Sequence, residues 1–163
     1  PLRFSSRSNV LNASIEPTPY QELGGDEPLR RLVDRFYDLM LCEPDVAEVR
    51  DMHGSDTTQI RERLFDFLSG WLGGPSRFIE KHGHPRLRFR HRFFRIGVLE
   101  RDQWMFCMHK ALAETPMDGD LRVRLEQAIA NMADALRNDS HVAHGCGAGG
   151  CASAPEHAGQ CGC

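Results

Sequence analysis

The chain has 163 residues, 40% of them hydrophobic, which suits one domain with a real core plus flanking segments. Its net charge of −3, with most basic residues spread among acidic ones, lacks the overall basic footprint of a nucleic-acid binder. The longest apolar runs, such as FLSGWLGG, are too short and interrupted to cross a bilayer, and no signal-peptide pattern opens the chain. The cytoplasm is therefore the expected compartment, although a chain opening on Pro1 leaves an earlier targeting segment open.

Residues 1 to 18 mix serine, asparagine and proline with isolated apolar residues and no sustained periodicity, and read as a mobile extension. From Pro19 to Asn138 the pattern is helix after helix, an all-α domain. In LGGDEPLRRLVDRFYDLM, Leu29, Leu32, Val33, Phe36 and Met40 fall on one helical face, with Asp26 as the expected N-cap and Pro28 in the first turn. EPDVAEVRDMH reads as a short helix ended by Gly54. A longer one starts near Asp56, with Ile60, Leu64, Phe67, Leu68 and Trp71 as its buried stripe, and Gly73, Gly74 and Pro75 stop it. Gly83 and Pro85 break the next segment into pieces of one or two turns. Two further helices follow, from about Leu99 to Glu114 (burying Trp104, Met108 and Ala111) and from about Asp120 to Asn138 (burying Leu121, Leu125, Ile129, Met132 and Leu136).

The segment HPRLRFRHRFFRIG places five arginines around two histidines and three phenylalanines. An isolated histidine among arginines is most often a surface residue. His91 is nevertheless suited to hold iron, with Phe89, Phe93, Phe94 and Ile96 as apolar contacts for a flat macrocycle and Arg86, Arg88 or Arg90 as partners for carboxylates at its edge. Tyr37 and Trp104 read first as core residues, and His53 as an exposed turn residue. Lining one pocket, the three would be donors to a ligand that carries partial negative charge.

These residues carry a resemblance. YQELGG, RFYDLM, FLSGWLGGP, GHPRLRFRH, FRIG and ERDQWMFCM occur in an order and at a spacing that resemble the truncated haemoglobins, specifically their second group, over about 120 residues. The resemblance implies a two-over-two helical sandwich holding one haem b, with hinges at Gly24-Gly25 and Gly73-Gly74. It implies His91 as the proximal iron ligand, its other ring nitrogen donating to a backbone carbonyl, and Arg86 and Arg90 at the propionates. It further implies Tyr37, His53 and Trp104 on the distal side, Ile60 where many globins carry a distal histidine, and Leu64, Phe67, Phe94 and Ile96 as cavity walls. Each donor aimed at bound dioxygen would stabilise it by about 1.5–3 kcal/mol, so tight binding and slow release are expected. With Ile60 at the usual gate, His53 is expected to meet Tyr37 rather than the ligand.

After Asn138 the composition shifts to a glycine-rich tail carrying His141, His144, Cys146, Cys151, His157, Cys161 and Cys163. Thiolates and imidazoles at this density suit soft or borderline metals, but the spacing matches no named metal site, and reduced thiols or disulfides stay open. Cys42 and Cys107 read as packed thiols. The resemblance implies a haem protein for dioxygen and other diatomic ligands such as CO and NO. NO dioxygenase or peroxidase-like turnover would need an external reductase, because nothing in the sequence resembles a flavin or nicotinamide fold. The alternative is a redox- or metal-responsive sensor using the tail. A homodimer stays open; no nucleic-acid or membrane partner is expected.

Overall fold

A computed structural model describes residues 16–139. Thr18 opens the fold: its side chain accepts from the Gln21 amide while Gln21 reaches back to the Thr18 amide, a capping box on helix α1, Pro19–Leu23. Gly24 and Gly25, both in the positive-φ region at 102° and 87°, turn the chain into α2, Asp26–Cys42. The N-cap is Gly25 rather than Asp26. The Asp26 carboxylate is instead taken by the Tyr20 hydroxyl and by a two-pronged ion pair from Arg77 at 2.6 and 2.8 Å, which staples α1, α2 and the segment opening at Arg77 together.

A short 3₁₀ turn, Pro44–Val46, leads into α3, Ala47–His53, and Gly54 at φ 72° ends it. Next come α4, Thr58–Trp71, and α5, Arg77–His82; the single-turn α6, Leu87–Arg90; then α7, Val98–Glu114, and α8, Gly119–Ala135. Helix α2 packs on α4 and on α7, and α7 on α8, giving two helix pairs laid one over the other. This is the all-α two-over-two sandwich that the resemblance implies. Tight approach fixes the bend after α4. A Cβ on Gly74 would sit 2.6 Å from the Tyr20 ring, and one on Gly73 2.9 Å from Thr18.

The apolar face of α2 is buried as its spacing predicts, with Leu29, Leu32, Val33, Phe36 and Met40 in the core. Helix α4 departs from expectation. Leu68 is buried, but Trp71 is 39% exposed, and the helix buries Phe65 under the Arg30 guanidinium, 3.7 Å from the ring centroid. It also buries Asp66, which is ion-paired to Lys81 at 2.9 Å. Ile60, Leu64 and Phe67 are only half-buried because their stripe faces a cavity rather than another helix. Met132 and Leu136 share that cavity, and α8 ends three residues before the expected Asn138.

Thr18 and Asp139, both placed outside the domain by composition, are tied to it, the latter through an ion pair with Arg95. Cys107 is packed, and burial pushes its thiol up to about 11, whereas Cys42 is exposed rather than packed. No described helix is long and apolar enough to cross a membrane. Residues 1–15 and the cysteine–histidine tail from residue 140 lie outside the described residues.

Candidate functional site

The cavity, of about 620 Å³, opens between α2, α3, α4, the 87–97 segment, α7 and α8. Of the expected site residues, Tyr37, His53, Ile60, Leu64, Phe67 and Trp104 line it, and so do His91, Phe94, Ile96 and Arg90. Arg86 is the exception. It stands exposed, outside the lining, at a φ of 42°, and Arg88 is likewise exposed and outside it.

His91 ends the short helix α6. Its backbone amide donates to the Leu87 carbonyl at 3.0 Å, and its ring Nδ1 lies 2.8 Å from the same oxygen. A carbonyl only accepts, so Nδ1 carries the ring proton and Nε2 carries the lone pair. This is the tautomer a metal-ligating imidazole needs, with its ring orientation locked by the helix that presents it.

Tyr37, also on the lining, sits on the buried face of α2, only 4% exposed, in edge contact with Phe36 and with its ring centroid 6.1 Å from that of His53. Burial pushes the Tyr37 pKa above its ordinary value, so the phenol keeps its proton at working pH. Among the described residues nothing hydrogen-bonds its hydroxyl. Trp104 comes from α7 and packs on Phe36 at a centroid separation of 4.9 Å.

His53 differs from the expected third donor. It lines the cavity instead of standing in an exposed turn, and its Nδ1 donates to the Val49 carbonyl at 2.6 Å. Burial lowers its pKa from 6.5, opposed by that hydrogen bond, and the nearby His91 ring adds a smaller push in the same direction. The lowered pKa favours the neutral ring near pH 7, in which Nε2 offers a lone pair.

Several residues on or around the cavity carry no mark in the sequence. Arg63, Arg92 and Arg101 join Arg90, so four guanidinium groups line the cavity. Gln103, buried on α7, accepts from the Val49 amide at 3.0 Å and donates to Glu48, fixing the start of the helix that carries His53. Asn138 is the most consequential. Its side-chain amide donates to the carbonyls of Phe94 (2.8 Å) and His91 (3.2 Å), its carbonyl accepts from the Ile96 amide (2.9 Å), and its own amide donates to Ile96 (3.0 Å). Asn138, three residues beyond the end of α8, thus clamps the loop that follows His91.

Asn138→Ala removes the three side-chain bonds, a loss of about 1–2 kcal/mol given their exposure. The expected result is a several-fold faster loss of bound haem to an acceptor apoglobin, with unfolding shifted by a few degrees. An unchanged loss rate would mean that the helix ends alone hold the loop.

The lining fits a flat macrocycle with acidic side groups. It offers an apolar slot, an imidazole lone pair fixed from behind, phenol and indole donors, and guanidinium groups for carboxylates. The comparisons with known proteins agree. The family described as bacterial-like globin matches residues 18–138. A group 2 truncated haemoglobin of Bacillus subtilis (strain 168) is 36% identical over 104 residues, 64% of this chain and 76% of that protein. The structure is similar to that of the cold-adapted truncated haemoglobin of Pseudoalteromonas haloplanktis TAC125, at 43% identity and a TM-score of 0.73, covering 76% of this chain and 99% of that one. It is also similar to the group II 2-on-2 haemoglobin of Agrobacterium tumefaciens, at 39% identity and a TM-score of 0.74, covering 77% and 98%. Haem-based ligand binding is what this family implies, and the chain belongs to the bacterial-like globins as a truncated haemoglobin of the second group.

Proposed function

We propose that the chain holds one haem b through His91 Nε2 and binds dioxygen tightly and releases it slowly, with CO and NO as further ligands. When bound, the haem would supply an iron atom able to take a small diatomic ligand, and His91 is the residue that would hold it. The observation that carries the reading is the Leu87 carbonyl behind the His91 ring, which leaves the lone pair of Nε2 free for iron. Arg90, with its Nε on the Pro85 carbonyl at 2.8 Å, is held where it can meet an acidic side group of the cofactor. Tyr37 and Trp104 supply protons for hydrogen bonds to the bound ligand, while the His53 ring, its centroid 6.1 Å from that of Tyr37, packs beside the phenol and leaves its single proton for the ligand. Redox turnover of NO or peroxide at this site draws its electrons from a separate reductase.

The test is an absorption spectrum of the purified chain: ferric, then reduced, then exposed to CO. A histidine-ligated haem signature with a CO-induced shift in the reduced form is expected. A colourless chain that also fails to take up added haem would end the reading.

A second reading, a haem-based sensor using the cysteine–histidine tail, is favoured by one placement. Asn138 bonds the His91 carbonyl and Asp139 pairs with Arg95, so the chain leaves the described fold directly from the loop that positions His91. Metal or oxidant at the tail would then change CO affinity, and CO would reciprocally change tail affinity. A CO affinity that ignores both would remove it.

A further inference from the structure

The cavity mouth carries more positive charge than a cofactor can use. Between residues 81 and 99 the sequence holds six lysines and arginines and no aspartate or glutamate, so the rest of a chain of net −3 carries −9. Elsewhere the described arginines are mostly answered: Arg30, Arg31, Arg35, Arg61, Arg77 and Arg124, for example, each pair with a carboxylate within 3.5 Å. Arg63, Arg86, Arg88, Arg90 and Arg92 have no such partner among the described residues. A haem brings two carboxylates. Arg63, Arg90 and Arg92 on the lining already exceed that number, and Arg86 and Arg88 stand outside it.

The same surface keeps aromatic groups in water. Phe93 is 81% exposed, and the Arg92 guanidinium lies between the rings of Phe89 and Phe93, at 3.6 and 4.0 Å from their centroids. A guanidinium stacked on rings is held ready for a planar anionic group, and arginine with aromatics is the composition of protein contact surfaces. Like charges kept together without partners cost stability through repulsion, and a docking anion offsets that cost. The patch is small and set in a chain that is otherwise negative. A long polyanion or an extended anionic bilayer would reach past it into repulsion, whereas a globular protein with a confined acidic face would not.

We propose that this rim docks an acidic one-electron carrier protein of the ferredoxin or flavodoxin kind, which reduces the site. The proposal rests on the haem reading above and names the electron donor it requires. In the step, one electron leaves the reduced carrier and enters ferric iron, giving ferrous iron and oxidised carrier; no bond breaks. Arg88 steers and holds the partner from outside the cavity. Contacts of this kind are small and strongly dependent on salt.

The experiment uses the haem-loaded full chain and, as probe, an oxidised, strongly acidic [2Fe–2S] ferredoxin, with binding followed by titration calorimetry. Raising salt from about 20 to about 300 mM shortens the screening length from about 20 to about 6 Å. The complex is expected to form at low salt and to weaken at least about tenfold at high salt. At low salt Arg88→Glu weakens it about fivefold or more and Arg88→Lys restores it, while Arg31→Glu, on α2 outside the lining, stays within about twofold. Reduced ferredoxin then converts the ferric spectrum to the ferrous CO spectrum at rates in the same order, and dithionite reduces all variants alike.

No binding at low salt, or equal binding by Arg88→Glu, would overturn the proposal. So would binding to phosphatidylserine vesicles or a DNA duplex in place of ferredoxin. A chain without haem fails the earlier reading, whereas a haem-loaded chain that ignores the ferredoxin fails this one alone.

Discussion

Replacing His91 with glycine is expected to abolish stoichiometric haem uptake unless free imidazole is supplied. Its Nδ1 is committed to the Leu87 carbonyl, which leaves Nε2 as the nitrogen that can meet iron from that wall. Loss of an outer partner alone costs a metal site about 10–100-fold in affinity, and loss of the ligand itself costs more. The fold should survive. His91 is the half-buried residue that caps the four-residue helix Leu87–Arg90, at φ −93°, a backbone that glycine adopts easily. Helix content by circular dichroism should therefore match the parent chain, while titration of the apoprotein with hemin loses its Soret band, and millimolar imidazole restores it by filling the vacated ring position. Pigment retained in full without added imidazole would mean that another group, His53 first among the lining residues, grips the iron, and the distal and proximal walls would have to be exchanged.

The legible part of this protein was the part written in periodicity and in local chemistry. The face of α2 is spaced three and four residues apart and is buried against α7 and α4, so its core residues follow directly from the sequence. Helix α4 shows where periodicity runs out. Ile60, Leu64 and Phe67 have helical spacing, but spacing cannot distinguish a stripe that meets a neighbouring helix from one that lines a cavity. Trp71 likewise belongs to the stripe by number, yet is left at the surface stacked on Phe67, ring centroids 6.3 Å apart. His53 was legible in place through the family resemblance but not in role. The role depends on which ring nitrogen carries the proton, and that is set by the Val49 carbonyl one helical turn earlier. Asn138 gave no local signal, because an asparagine at a helix end normally reads as a stop. Its partners, from His91 to Ile96, lie more than forty residues away in sequence and are brought to it by the packing of α8. Gln103 is similar: its meaning is the amide of Val49, supplied by a helix from the other half of the chain.

Tyr37→Phe and Trp104→Phe are each expected to speed oxygen release by about 10–100-fold, the equivalent of one hydrogen bond to a charge-bearing ligand at about 1.5–3 kcal/mol. The Tyr37 hydroxyl has no hydrogen-bond partner among the described residues, so removing it costs the fold little, and a changed release rate reports on the ligand rather than on a disturbed helix. Burial holds that phenol protonated, so in the parent chain the rate should stay flat as pH rises through the ordinary tyrosine range, where an exposed tyrosine would begin to lose its donor. Trp104 adds a donor from α7 and braces Phe36, which in turn meets Tyr37 edge-on, so its loss acts both directly and by loosening the tyrosine. The double variant separates these. Multiplying effects indicate two independent donors, while a double no faster than the quicker single indicates that the tryptophan works through the tyrosine. Carbon monoxide draws less charge from iron and accepts weaker hydrogen bonds, so its release should change far less in every variant. Stopped-flow displacement of oxygen measures all of this, and release rates left unmoved by both substitutions would mean that the phenol and indole are packing groups and that slow release has another origin.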